Sequence, residues 1–221
     1  MVKWKEVNKL KSSFLFGVML VLLSFSLEGC TKKDKNKKVV QLQPMEELPD
    51  AGEFKIYPRN AWTEEGPDET KIVSMAPIFR VTIHHTAMPD DELPDLGGSS
   101  IVRLQKILLW HKHHQNWADI GYHYVIDSEG KVWEGRNIKY QGAHAGNEDF
   151  DIGNIGVVLI GNFEDHELPE KQKQAMVDFV HFLKEKYKIQ SNNVFSHEHF
   201  KGTKCPGKFV VPIVEQLRIE K

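Results

Sequence analysis

The chain has 221 residues, 40% hydrophobic and 27% charged, enough apolar content for one sizeable core with appendages. Its formal charge is −2, and because residues 1–30 hold four lysines and two glutamates, the remainder is more acidic still, which gives no footing for strong nucleic-acid binding. Two cysteines, Cys30 and Cys205, are too few for a disulfide framework.

The first segment, residues 1–30, has the layout of a secretory signal. Lys3, Lys5, Lys9 and Lys11 precede an apolar run from Phe14 to Leu27, which falls short of the ~20 residues that a spanning helix needs. Its end, Leu27-Glu28-Gly29-Cys30, resembles a bacterial lipobox, in which the cysteine is lipidated and becomes the first mature residue; Glu28 departs from the small or apolar residue usual there. The expectation is an exported bacterial lipoprotein, membrane-anchored through Cys30 on the periplasmic or cell-surface side. Residues 31–52, opening with Thr31-Lys32-Lys33-Asp34-Lys35, are too charged to bury and read as a flexible polar tether. Residues 53–221 form the globular domain.

Within that domain, Phe79 to Thr86 alternates as a strand, with Val81, Ile83 and His85 on one face and Thr82, His84 and Thr86 on the other. Only one of the adjacent histidines can face a given site, and His84 belongs to the polar side. Ser99 or Ser100 can cap a helix to about Gln115. Its His111-Lys112-His113-His114 run reads as a solvated face. Tyr122 to Asp127 and Lys131 to Glu134 flank Ser128-Glu129-Gly130 as a hairpin, Asn154 to Ile160 is apolar enough for a buried central strand, and a helix runs from about Pro169 to Lys188. Val194 to Ser196 then delivers His197 at a strand end. Helices around a mixed sheet make an α/β (α+β) domain.

The chemistry gathers at Ser196-His197-Glu198-His199-Phe200-Lys201-Gly202-Thr203-Lys204-Cys205-Pro206-Gly207, a bent loop with a histidine and a lone cysteine. With Cys30 lipidated, Cys205 has no disulfide partner, and a metal would hold its thiolate. His84, His197 and Cys205 together offer two imidazoles and one thiolate, a donor set that suits zinc and leaves a fourth corner for water, as hydrolytic zinc sites do. Cys205 as a nucleophile with His197 as its base is a second reading, although Pro206 follows it in place of a helix start that would acidify the thiol.

Six segments carry a resemblance: Pro58-Arg59-Asn60-Ala61-Trp62, Val81-Thr82-Ile83-His84-His85-Thr86-Ala87, Trp117-Ala118-Asp119-Ile120-Gly121-Tyr122-His123-Tyr124, Gly130-Lys131-Val132-Trp133-Glu134-Gly135-Arg136, Gly142-Ala143-His144 and Asn154-Ile155-Gly156-Val157. In this order, and ending in the His and Cys-Pro-Gly pair, they resemble the peptidoglycan recognition protein branch of the zinc-dependent N-acetylmuramoyl-L-alanine amidases, which also include phage lysozyme-type amidases. The resemblance implies zinc on His84, His197 and Cys205, with Tyr122 and Thr203 in the catalytic set and His144 lining the groove to touch sugar or peptide. The implied reaction cuts the amide between N-acetylmuramic acid and L-alanine of the peptidoglycan stem peptide, with muropeptides as partners. Some family members only bind the wall after losing the zinc cysteine, so a non-catalytic recognition module is the alternative. Glu148-Asp149-Phe150-Asp151, in a loop about two residues longer than the common pattern, lacks the Tyr-Asn pair that meets the stem peptide.

Overall fold

A computed structural model describes residues 55–87 and 99–220. The export segment with Cys30 and the tether to residue 52 lie outside the described residues. Six strands make one mixed sheet: β1 (Ile56–Tyr57), β2 (Arg80–His85), β3 (Tyr124–Ile126), β4 (Val132–Glu134), β5 (Asn154–Leu159) and β6 (Val194–Ser196), in the order β1-β4-β3-β5-β2-β6. Only the β3–β4 hairpin is antiparallel. All six residues of β5 are buried, as its apolar run predicts for a strand covered on both faces.

The alternation along each strand divides the core in two. Val81, Ile83, Ile155, Val157 and Leu159 point to one face, against Met176, Phe179, Val180 and Leu183 of helix α3 (Glu170–Tyr187) and Val214 and Leu217 of α4 (Val211–Ile219). Val125, Val158 and Ile160 point to the other, against Leu104, Ile107 and Leu108 of helix α1 (Ser100–Leu109). Each fully buried aliphatic side chain contributes roughly 1.5–3 kcal/mol through burial.

Three local readings of the sequence are corrected. Helix α1 ends at Leu109, and Trp110–His114 continues as a π-helical turn closed by Gln115 N–H donating to the Trp110 carbonyl. His111 follows the buried Ile107 and Leu108 at helical spacing, so it is buried instead of solvated, and its Nδ1 accepts the Gly121 N–H at 3.1 Å. Ser99 occupies the N-cap position without a side-chain bond, and the Ser100 hydroxyl donates to Asp127 Oδ2 at 2.6 Å instead. The segment after Gly146 is a short helix, α2 (Glu148–Asp151), capped by Asn147, whose side chain accepts the Asp149 N–H.

The Pro58-Arg59-Asn60-Ala61-Trp62 segment has a structural role. Arg59 grips Asp119 with both ends of its guanidinium, at 2.7 and 3.2 Å, and Trp62 Nε1 donates to the Glu134 carbonyl at 2.8 Å. The Asp119 side chain is 1% exposed, so Arg59→Ala strands a buried carboxylate. The expected cost is about 3 kcal/mol in urea unfolding. A loss below about 1 kcal/mol would put the pair in the class of surface ion pairs.

Candidate metal centre

The carboxyl ends of parallel strands β2 and β6 build the site. Ile83 pairs with Ser196, so the next residues along the two strands, His84 and His197, come side by side with ring centroids 4.5 Å apart. The 197–207 loop returns Cys205 beneath them. Cys205 Sγ lies 3.7 Å from His84 Nδ1 and accepts the His85 N–H at 3.3 Å, while the Cys205 N–H donates to Thr203 Oγ1 at 3.3 Å. One ligand atom from each of His84, His197 and Cys205 lies within 4.8 Å of the others, which is the metal-competent cluster found among the described residues.

Two observations test whether zinc fits this cluster. Tetrahedral Zn–N and Zn–S bonds of ~2.0 and ~2.3 Å put nitrogen and sulfur about 3.5 Å apart, close to the 3.7 Å between His84 Nδ1 and Cys205 Sγ. His197 Nε2 is buried with no hydrogen-bond partner, an arrangement that is costly for an imidazole nitrogen unless something else satisfies it. The donor set fits the ion. Burial lowers the pKa of both His84 and His197, with neighbouring positive charge adding to the effect, so both rings present as neutral imidazoles able to offer a lone pair.

Burial, with a smaller contribution from the Glu198 carboxylate, pushes the Cys205 thiol up to about 12, despite the opposing His85 N–H bond. Such a thiol is a poor nucleophile at neutral pH, which weakens the cysteine-hydrolase reading. A cation at the site would reverse the balance by holding the thiolate directly.

His85 turns away from the cluster, as alternation requires, and its Nδ1 accepts the Phe163 N–H at 3.2 Å. The Tyr122 ring stands 5.2 Å from that of His84 and 5.5 Å from that of His111, at the edge of a groove that also meets Asn116, Trp117, Asn147, Glu148 and Lys201. Burial, then the nearby Cys205, raises the Tyr122 pKa, so its phenol stays protonated. Thr203 is found first of all in its own loop, where its hydroxyl oxygen holds the Cys205 backbone.

His144 is among the residues that line the groove, as expected, but as a buried side chain. Its side chain is 0% exposed, so it has no surface to offer a sugar or peptide. The ring instead lies under the cluster, with Nδ1 3.0 Å from His84 Nε2. Two further residues escaped sequence reasoning. Asp151 Oδ1 accepts the N–H groups of His144 and Ala145 at 3.0 and 2.9 Å, which fixes that loop against the site. His123, fully buried, accepts the Gly156 N–H and bonds the Tyr140 carbonyl. The only sequence signal for Asp151 was a carboxylate shortly after the Asn147 cap.

Comparison with known proteins agrees with this geometry. Residues 74–208, more than half of the chain, match the N-acetylmuramoyl-L-alanine amidase (Amidase_2) family. Peptidoglycan-recognition protein SD of Drosophila melanogaster is 29% identical over 173 residues, covering 75% of this chain and 87% of that protein, and its crystal structure superposes with a TM-score of 0.62 over 74% of this chain and 95% of that one. The pig N-acetylmuramoyl-L-alanine amidase is 30% identical over 155 residues, 69% of this chain and 25% of that protein. The recognition proteins LCa and LCx, solved as an ectodomain complex with tracheal cytotoxin, give 26% identity and a TM-score of 0.62 over 73% of this chain and 95% of theirs. On the extent of the family match, this chain belongs to the N-acetylmuramoyl-L-alanine amidase family.

Proposed function

We propose that this protein is a zinc-dependent N-acetylmuramoyl-L-alanine amidase that hydrolyses the amide between N-acetylmuramic acid and L-alanine of peptidoglycan. The observation that carries the reading is the convergence of His84, His197 and Cys205, with His197 Nε2 left buried and unpartnered. Zinc bound there would acidify a water molecule and polarise the scissile carbonyl.

The chain's own residues supply the rest. The groove beside Tyr122 receives the stem peptide, and Asn147, Glu148 and Lys201 at its rim offer polar contacts to it. Tyr122, a neutral phenol, donates a hydrogen bond to the oxygen on which negative charge develops. Thr203 holds the Cys205 backbone in the loop that sets Sγ 3.7 Å from His84 Nδ1, and its hydroxyl proton remains available to orient water. Export and lipid anchoring at Cys30 belong to the same reading and rest on the amino-acid sequence.

Digestion of purified muropeptides, followed by mass spectrometry, tests the reaction. Free stem peptides, intact glycan and loss of turnover with a chelator are expected, with activity returning on addition of zinc. Binding without turnover would leave a recognition module, the activity class suggested by the names of several relatives. Cut sugar bonds would refute both.

A further inference from the structure

We infer that His144 is a positioning residue for the metal centre: it fixes the tautomer of His84 through a two-histidine chain anchored on the Asn154 carbonyl. This rests on the zinc reading above and assigns a task to a side chain that touches no solvent.

The geometry permits one consistent proton arrangement. His144 Nε2 lies 3.2 Å from the Asn154 carbonyl oxygen and 3.5 Å from Asp151 Oδ1. A carbonyl oxygen only accepts, so Nε2 must carry the hydrogen of the neutral ring. Nδ1 of His144 is then bare and accepts from His84 Nε2 at 3.0 Å. His84 therefore carries its hydrogen on Nε2 and aims the lone pair of Nδ1 at the point it shares with Cys205 Sγ. The opposite arrangement would face a bare His144 Nε2 against the carbonyl and put an N–H on the His84 nitrogen that a metal needs.

The backbone is shaped to admit this ring. A Cβ on Gly156 would come within 2.6 and 2.7 Å of His144 Cγ and Nε2, and one on Gly142 would come within 2.8 Å of His144 Nε2. Both glycines are thus cleared for the imidazole. The Asp151 carboxylate accepts the His144 backbone N–H, and the His123 ring packs edge-on with its centroid 5.8 Å away. Partners of this kind, which hold the far nitrogen of a ligating histidine, change metal affinity by about 10–100-fold.

Zinc affinity of the full chain, measured by competition with a chromophoric chelator, reads this role without reference to turnover. His144→Leu keeps bulk but has no acceptor, and is expected to weaken zinc binding by about 10–100-fold. His144→Gln restores an acceptor and a donor and should recover most of that loss. Long-range proton–nitrogen spectra of the unaltered protein should show His84 protonated at Nε2 and His144 bare at Nδ1, with or without zinc. Zinc binding by a folded Leu variant as tight as that of the unaltered protein, or His84 protonated at Nδ1, would overturn the assignment. If the Leu variant does not fold, the spectra of the unaltered protein decide alone. If the unaltered protein binds no zinc, the proposed function fails while the spectra still test the histidine chain.

Discussion

On the proposed zinc-amidase reading, Cys205→Ser is expected to lose zinc on dialysis and to retain less than about 0.1% of the amide-hydrolysing activity, because a water no longer held by the metal would revert from a pKa near 7 towards 15.7. The sulfur is the only one of the three donors able to bring negative charge, the other two being imidazoles that burial keeps neutral. A serine hydroxyl stays protonated and coordinates weakly, so the site would keep its shape and lose its charge. The fold should survive, since the replacement oxygen can still accept the His85 N–H that now bonds the sulfur. Peptidoglycan binding should also survive, because the groove walls around Trp117 and Lys201 are untouched. Metal analysis of the dialysed protein and a pull-down on insoluble peptidoglycan measure the two halves. A variant that holds one equivalent of zinc and still turns over muropeptide would remove Cys205 from the ligand set.

The parts of this site that follow a short-range rule were legible in the amino-acid sequence. Period-two alternation from Val81 to His85 separated His84 from His85, and the apolar run at Asn154 identified the strand that β2 leans on. The helix expected from Pro169 to Lys188 is found at Glu170–Tyr187, with both flanking residues as its caps. Long-range contacts were not legible. Nothing local to Gly142-Ala143-His144 indicates that Gly156, on a strand twelve residues later, leaves the space this imidazole fills. The π turn at Trp110 escaped for a related reason: its residues suit an ordinary helix, and the bond from Gly121 N–H to His111 Nδ1 helps hold His111 inward. The motif thus placed His144 in the right neighbourhood, but it carried no sign that the side chain would be buried against His84.

Tyr122→Phe is expected to lower kcat by about 100-fold while leaving zinc content and KM nearly unchanged, the size of effect seen when one oxyanion donor is removed. The substitution deletes a single oxygen, and the ring contacts at 5.2 Å to His84 and 5.5 Å to His111 remain. What disappears is the hydrogen-bond donor at the groove edge. Because burial and the nearby Cys205 raise the phenol's pKa above its usual value near 10, the O–H form persists through the working range and the donor is present throughout it. The ratio of unaltered to variant kcat should therefore stay flat between about pH 6 and 9. A ratio that changes across that window would mean the phenolate takes part, and a loss below about threefold would reduce Tyr122 to a wall of the groove. Retained zinc separates this outcome from that of Cys205→Ser: one residue acts on the charge that develops during the reaction, the other on whether the ion is held at all.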